Sequence, residues 1–187
     1  MIELKVASID DIEDTIKLHQ QNQVDLMDEE DRADGFITTA FTRDELKDLI
    51  EKEQGLFIAK DGDKVVGYVM SASWQYWSTW SMFAYMIEHL GENEYLGEKL
   101  SVDNSYQYGP VCVDKNYRGS GLFEKLFEFA LSHMSKRYAI LVTFINKINT
   151  RSYEAHTRKL ALDVVCEFEY NSNQYYELCY DTSKGLK

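Results

Sequence analysis

The sequence predicts an α/β fold of the α+β mixed-sheet kind: one central mixed sheet with helices on both faces. Three observations predict it. Period-two and period-3.6 apolar stretches follow one another in the order β-α-α-β-β-insertion-β-α-β-α-β-β. The apolar run Tyr138 to Ile145 reads as a central buried strand. Residues 108–122 read as a strand, a short loop and a glycine-rich entry into a helix.

Each element has its own signal. Ile2, Leu4 and Val6 alternate with Glu3 and Lys5, the pattern of a half-buried strand. Ser8 and Asp11 resemble a helix start, and Ile12 and Ile16 repeat at helical spacing. A polar stretch from Gln20 to Thr39 carries Asp25, Asp28, Glu29, Glu30, Asp31 and Asp34, and reads as an acidic loop. Thr42 and Glu45 form a capping box ahead of the stripe Leu46, Leu49 and Ile50. Leu56 to Lys60 and Lys64 to Ser71 are strands joined by the hairpin signal Asp61-Gly62-Asp63.

Residues 73–105 are an insertion that holds all three tryptophans, Trp74, Trp77 and Trp80, with Tyr76, Phe83 and Tyr85. Thr79 to Leu90 has helical character and ends at Gly91. Two readings of this segment stand: an accessory core patch or homodimer contact, and an aromatic wall over a substrate. Beyond it come a strand Tyr108 to Val113, a helix Leu122 to Lys136 and the central strand. A helix Asn149 to Leu160 and the strands Val164 to Tyr170 and Gln174 to Asp181 complete the order. His133 falls on the apolar stripe of its helix and is expected in the core.

Length and composition bound the function. The 187 residues suit a single domain, 1–187, and 44% apolar with 13% aromatic residues is a globular composition. Twenty basic against 32 acidic residues give a net charge of −12, which repels phosphate backbones and anionic membranes and suits a cationic substrate. Nucleic acid and membrane are therefore excluded as expected partners. Cys112, Cys166 and Cys179 are odd in number and form no CxxC pair, which favours a reducing compartment. No histidine spacing suggests a metal site, and no apolar run reaches the ~18 residues of a membrane span. The start Met-Ile-Glu-Leu-Lys-Val is no signal peptide, so a cytoplasmic protein is expected.

The chemistry concentrates in Tyr108-Gly109-Pro110-Val111-Cys112-Val113-Asp114-Lys115-Asn116-Tyr117-Arg118-Gly119-Ser120-Gly121-Leu122. Free N–H groups at a helix start, reached through glycines, form an anion cradle. The spacing fits neither Walker A nor the dinucleotide GxGxxG. Pro110 cannot donate to a ladder and marks an edge or a bulge, and a bulge would splay this strand from its neighbour.

In these residues the chain resembles the GNAT family of N-acetyltransferases. Val113 to Gly121 is similar to the family's Val-x-Pro-x-Tyr-Arg-Gly-x-Gly run. Gly109 to Val113 is similar to its bulged fourth strand, and Asn149 to His156 to its late helix, Asn-x-x-Ser-x-x-x-His/Tyr. The resemblance implies a GNAT-like acyl-CoA acyltransferase fold with splayed fourth and fifth strands. It also implies acetyl-CoA as cosubstrate and no metal. The main chain of Val111, Cys112 and Val113 would pair with the pantetheine arm and acetyl carbonyl. Arg118, Gly119, Ser120, Gly121, Leu122 and Phe123 would hold the pyrophosphate. Asn149, with Ser152 nearby, would contact the pantetheine or phosphate region, and His156 would protonate the leaving thiolate.

Three positions depart from the family pattern. Phe123 stands where the family has Gly or Ala, so its ring must point away from the phosphates. The fourth strand offers Tyr106, Gln107 and Tyr108 in place of the Glu that many members use as base. Ala161 stands where the family has Gly after the late helix. The expected acceptor is a small, cationic primary amine. A protein lysine or N-terminus, and a non-catalytic acyl-CoA-binding module, are the alternatives.

Overall fold

The structure, a computed structural model, describes residues 1–23, 37 and 39–185. The acidic stretch 25–34 lies outside the described residues. Seven strands build one mixed sheet: β1 (Ile2–Val6), β2 (Leu56–Asp61), β3 (Lys64–Ala72), β4 (Ser105–Val113), β5 (Ile140–Asn146), β6 (Asp163–Tyr170) and β7 (Asn173–Asp181). Neighbours hydrogen-bond in the order β1-β2-β3-β4-β5-β7-β6. The β4–β5 pair is parallel, while β1–β2, β2–β3, β5–β7 and β6–β7 are antiparallel. The helices are α1 (Ile12–Gln20), α2 (Arg43–Asp48), α3 (Trp74–Trp77), α4 (Ser81–His89), α5 (Leu122–Met134) and α6 (Thr150–Glu154).

The chain divides into two compact units, Met1–Ser71 with Gly109–Ser132, and Ala72–Tyr108 with His133–Lys187. The boundary cuts β4 between Tyr108 and Gly109. There the peptide to Pro110 is cis and Gly109 has φ 103°. Of the nine residues of β4, Ser105, Tyr106 and Gln107 pair with Ile140, Leu141 and Val142. Strand β7 pairs with β5 along the whole of Ile140–Asn146. The bulge expected from Pro110 is thus an irregularity inside a central strand, not an edge.

In the first unit, the Asp11 carboxylate accepts from the N–H and hydroxyl of Ser8, as the helix-start signal requires. The capping box of Thr42 and Glu45 forms in both directions, at 2.8 and 3.2 Å. The turn Gly62-Asp63 joins β2 to β3, with Asp61 opposite Lys64. Helix α5 lies so close to Gly67 that a Cβ there would stand 2.8 Å from Leu126 Cδ1. His133 is half-exposed, contrary to expectation; Met134 takes the core position and is buried. A one-residue step on a helix turns the side chain by about 100°, enough to exchange them.

In the second unit, residue partners across β5, β7 and β6 share a face. One face carries Val142, Phe144, Tyr175, Glu177, Cys179, Cys166 and Phe168. The segment after β3 covers it: Trp74 Nε1 donates to Ser105 Oγ at 2.9 Å, and Trp77 Nε1 to the Gln107 carbonyl at 3.3 Å. Phe83 meets Phe144 with centroids 5.5 Å apart. Trp74 and Trp77 are fully buried, so the aromatic segment supplies core, while Tyr76 and Trp80 are half-exposed. Its helix runs Ser81–His89 and is followed by a turn Leu90–Glu92 and a short hairpin, Glu94–Tyr95 with Glu98–Lys99. The opposite face packs against α6, where Tyr153 meets Tyr176 at 4.6 Å.

Candidate active site

The loop after β4 is assembled within the first unit. Asp114 N–H donates to the Val66 carbonyl at 2.9 Å, which fixes the end of β4 to β3. Its side chain accepts from Asn116 N–H at 2.9 Å and from Lys64 at 2.8 Å. Burial works against ionisation of Asp114, but the Lys64 ammonium and the Asn116 N–H hold its carboxyl below the usual range. Tyr117 donates to Asp61 at 2.9 Å, bracing the loop against the β2–β3 hairpin.

Arg118 is tied on two sides. Its Nε donates to the Val113 carbonyl at 3.2 Å and its Nη2 to Asn22 Oδ1 at 3.1 Å. The guanidinium therefore joins loop, β4 and the end of α1. Gly119 and Gly121 follow with φ 76° and 80°, a region that costs other residues roughly 1–2 kcal/mol. A Cβ built on either glycine meets nothing within 4 Å, so the described residues leave the backbone open there. Helix α5 begins at Leu122, with Lys125 N–H already bonded to the Gly121 carbonyl at 3.1 Å. Open backbone, positive φ and a thirteen-residue helix start together fit a phosphate. Leu122 is buried and Phe123 half-buried.

Val111 is half-buried on β4, and Cys112 and Val113 are buried. Burial pushes the Cys112 thiol up to about 12, so it stays protonated at neutral pH and offers no thiolate nucleophile.

Asn149, Ser152 and His156 come together in the second unit. Asn149 caps α6: its Oδ1 accepts from Ser152 N–H at 3.2 Å. His156 lies in the π-turn Ala155–Lys159 that continues α6, and is 4% exposed. Its Nδ1 stands 2.7 Å from the Ser152 carbonyl. A carbonyl only accepts, so Nδ1 carries the proton and Nε2 is the acceptor atom. The ring meets Tyr108 edge-on with centroids 5.9 Å apart. Burial pushes its pKa down to about 4, and the imidazole is neutral at physiological pH.

Glu177 on β7 escapes the sequence reading. It is 4% exposed, and burial pushes its pKa up to about 7. Its signal is a carboxylate in phase with Tyr175 and Cys179 on an otherwise apolar strand face. Among the described residues no group of three or more His, Cys, Asp and Glu side chains is placed to hold a metal ion. No helix among them is long and apolar enough to cross a membrane.

A sequence model of the acetyltransferase (GNAT) family matches residues 18–161. The chain belongs to this family, whose general chemistry is acyl transfer from acetyl-CoA. The expected fold is the one observed. Among solved structures it is similar to smu.2055 of Streptococcus mutans UA159, with TM-score 0.64, 16% identity, and 96% of this chain and 99% of that chain covered. It is also similar to yncA of Salmonella typhimurium, solved with its cofactor acetyl-CoA, at TM-score 0.64 and 12% identity, covering 100% of this chain and 97% of that chain. The ribosomal-protein-S18-alanine N-acetyltransferase of Escherichia coli gives TM-score 0.61 and 11% identity over 98% of this chain and 96% of that chain. These identities speak to the fold alone. No curated protein sequence matches.

Proposed function

We propose that the protein, acting as one domain over 1–187, is a cytoplasmic N-acetyltransferase. It moves an acetyl group from acetyl-CoA to the primary amine of a small cationic molecule, by direct attack in a ternary complex. The observation that carries this reading is the loop 118–123, where two positive-φ glycines open α5 immediately after an irregular β4. The net charge of −12 supports a cationic acceptor.

In this reading the backbone of Arg118, Gly119, Ser120, Gly121, Leu122 and Phe123 binds the pyrophosphate. The main chain of Val111, Cys112 and Val113 aligns the pantetheine arm, and the Cys112 or Val113 N–H polarises the acyl carbonyl. Asn149 and Ser152 support the arm near α6. Acetyl-CoA supplies the activated thioester. His156 is neutral with its proton on Nδ1, so its donor role runs through Nε2. That atom takes a proton from the attacking nitrogen and passes it to the departing sulfur. The imidazole ends the cycle as it began.

The test is His156→Phe assayed on a panel of primary amines. Turnover falls roughly a hundredfold while acetyl-CoA affinity holds. Unchanged turnover removes His156 from the mechanism. Acetylation of peptides with no free amine accepted would transfer the reading to a protein acceptor.

A further inference from the structure

Glu177 stands in a setting that the transfer chemistry above does not use. Its Oε1 accepts from Asn93 Nδ2 at 3.2 Å, and the same amide lies 3.3 Å from Cys166 Sγ. Across the sheet it is flanked by Phe144 and Cys166, and along β7 by Tyr175 and Cys179 on the same face. Phe144 meets Tyr175 at 5.8 Å, and Tyr175 stacks on Phe168 at 5.2 Å. Phe144 and Phe168 are half-exposed and Tyr175 is buried.

No cation stands at salt-bridge distance from the carboxylate among the described residues, though the charge of His89 favours its ionised form. Among the described residues Glu177 forms no ion pair, and its Oε2 has no hydrogen-bond partner. The other titratable groups around it are Cys166 on β6, Cys179 on β7, His89 on α4 and Glu92 beyond it. His89 is engaged by Glu92 at 2.9 Å and packs on Tyr85 at 4.3 Å. A buried carboxylate without a cation is costly and is ordinarily paired. Its cover is thin: Asn93 belongs to the turn between Leu90–Glu92 and the short hairpin, where Glu94 and residues 96–99 are exposed.

We propose that Glu177, with the aromatic rings of Phe144, Tyr175 and Phe168 beside it, is the docking place for a cationic group of the acceptor. The site selects small organic cations. An ammonium supplies a direct ion-pair partner and donates to Oε2, beside the aromatic rings. Glu177 is a specificity residue in this account: it holds the acceptor's charge and takes no part in bond making. The inference rests on the acetyltransferase reading only for the name of its ligand.

The test is a calorimetric titration of 1,4-diaminobutane into the full chain at pH 6 and pH 8, beside Glu177→Gln. The amide keeps the acceptor oxygen for Asn93. Glu177 titrates near 7, so the natural protein binds about tenfold more tightly at pH 8 than at pH 6. Glu177→Gln binds at least tenfold more weakly at pH 8, loses the pH dependence and keeps its acetyl-CoA affinity. The pH dependence of the natural protein is a readout that needs no variant to fold. Equal affinity in Glu177→Gln, a flat pH response or no diamine binding overturns the site. Diamine bound through Glu177 with no amine ever acetylated sinks the transferase reading and leaves the site standing. Amines acetylated with unchanged KM in Glu177→Gln do the reverse.

Discussion

Gly119 and Gly121 stand at φ 76° and 80° in a loop whose backbone is open, whereas His156 and Glu177 are each 4% exposed under covering elements. The first unit makes its candidate site from main chain. The loop is held at its ends by Asp114 on Val66 and by Arg118 on Val113 and Asn22, and what it offers a ligand is N–H groups. The second unit makes its candidate sites from side chains whose character is set by burial. The same desolvation drives His156 down to about 4 and Glu177 up to about 7, because in each case it disfavours the charged form. Both groups therefore sit neutral over much of the acidic range, one on each face of the same sheet. A backbone site tolerates almost any side chain that spares its φ angles, while a burial site fails when its cover changes.

The largest effect that sharpens this contrast is on turnover. His156→Phe should lower kcat roughly a hundredfold with acetyl-CoA affinity unchanged, as measured by steady-state kinetics beside calorimetry. Gly121→Val should do the converse. Its φ of 80° becomes strained and its Cβ enters the open side of the loop, so acetyl-CoA binds about tenfold more weakly. A Gly121→Val protein with full affinity would break the backbone account.

Next comes the pH dependence of stability, where the two buried groups have opposite signs. His156 has its folded pKa depressed from 6.5 to about 4, so it costs stability as pH falls through that window. Glu177 has its folded pKa raised from 4.5 to about 7, so it costs stability as pH rises through that window. Between 4.5 and 6.5 they offset each other. Denaturant unfolding across this range should show Glu177→Gln gaining stability with pH more steeply than the natural protein, by up to about 1.4 kcal/mol per unit. His156→Phe should shift the slope equally in the other direction. Parallel slopes in all three proteins would refute burial as the cause.

The smallest effect is at Ala161, which adopts φ 56° just after the π-turn, where Leu162 N–H bonds to the His156 carbonyl at 3.0 Å. Ala161→Gly should raise stability by up to about 1 kcal/mol, read from the denaturation midpoint, because glycine takes this conformation without a Cβ penalty.

What was legible in the sequence follows the same division. The backbone of the loop 118–123 is legible because glycines, a bulge proline and an arginine at fixed spacing are demanded by backbone geometry, and spacing survives in a linear string. The capping box at Thr42, the turn Gly62-Asp63 and the turn after Tyr170 were legible for the same reason. The last has Asn171 and Ser172 at φ 46° and 61°. The sequence pattern starts β4 at Tyr108, three residues after its true start at Ser105, since its first pairings depend on Ile140 to Val142 and on Trp74 and Trp77 above them. The spacing places the helix Asn149 to Leu160 but carries no sign of its change from α to π at Ala155, and that change sets where His156 lies. Glu177 is not legible in the sequence because its partner, Asn93, is 84 residues away and its burial is a property of the packed face. The chain Tyr68 to His19 to the Thr39 carbonyl, at 2.6 and 2.7 Å, was invisible for that reason too.

The most direct test of the central claim is a calorimetric titration of acetyl-CoA into the natural protein, with Phe123→Gly beside it. Saturable binding on the order of micromolar is expected of the natural sequence, with the half-buried Phe123 leaving the loop backbone free. No binding by either protein would contradict it, and the loop 118–123 would then be a structural turn rather than a cradle.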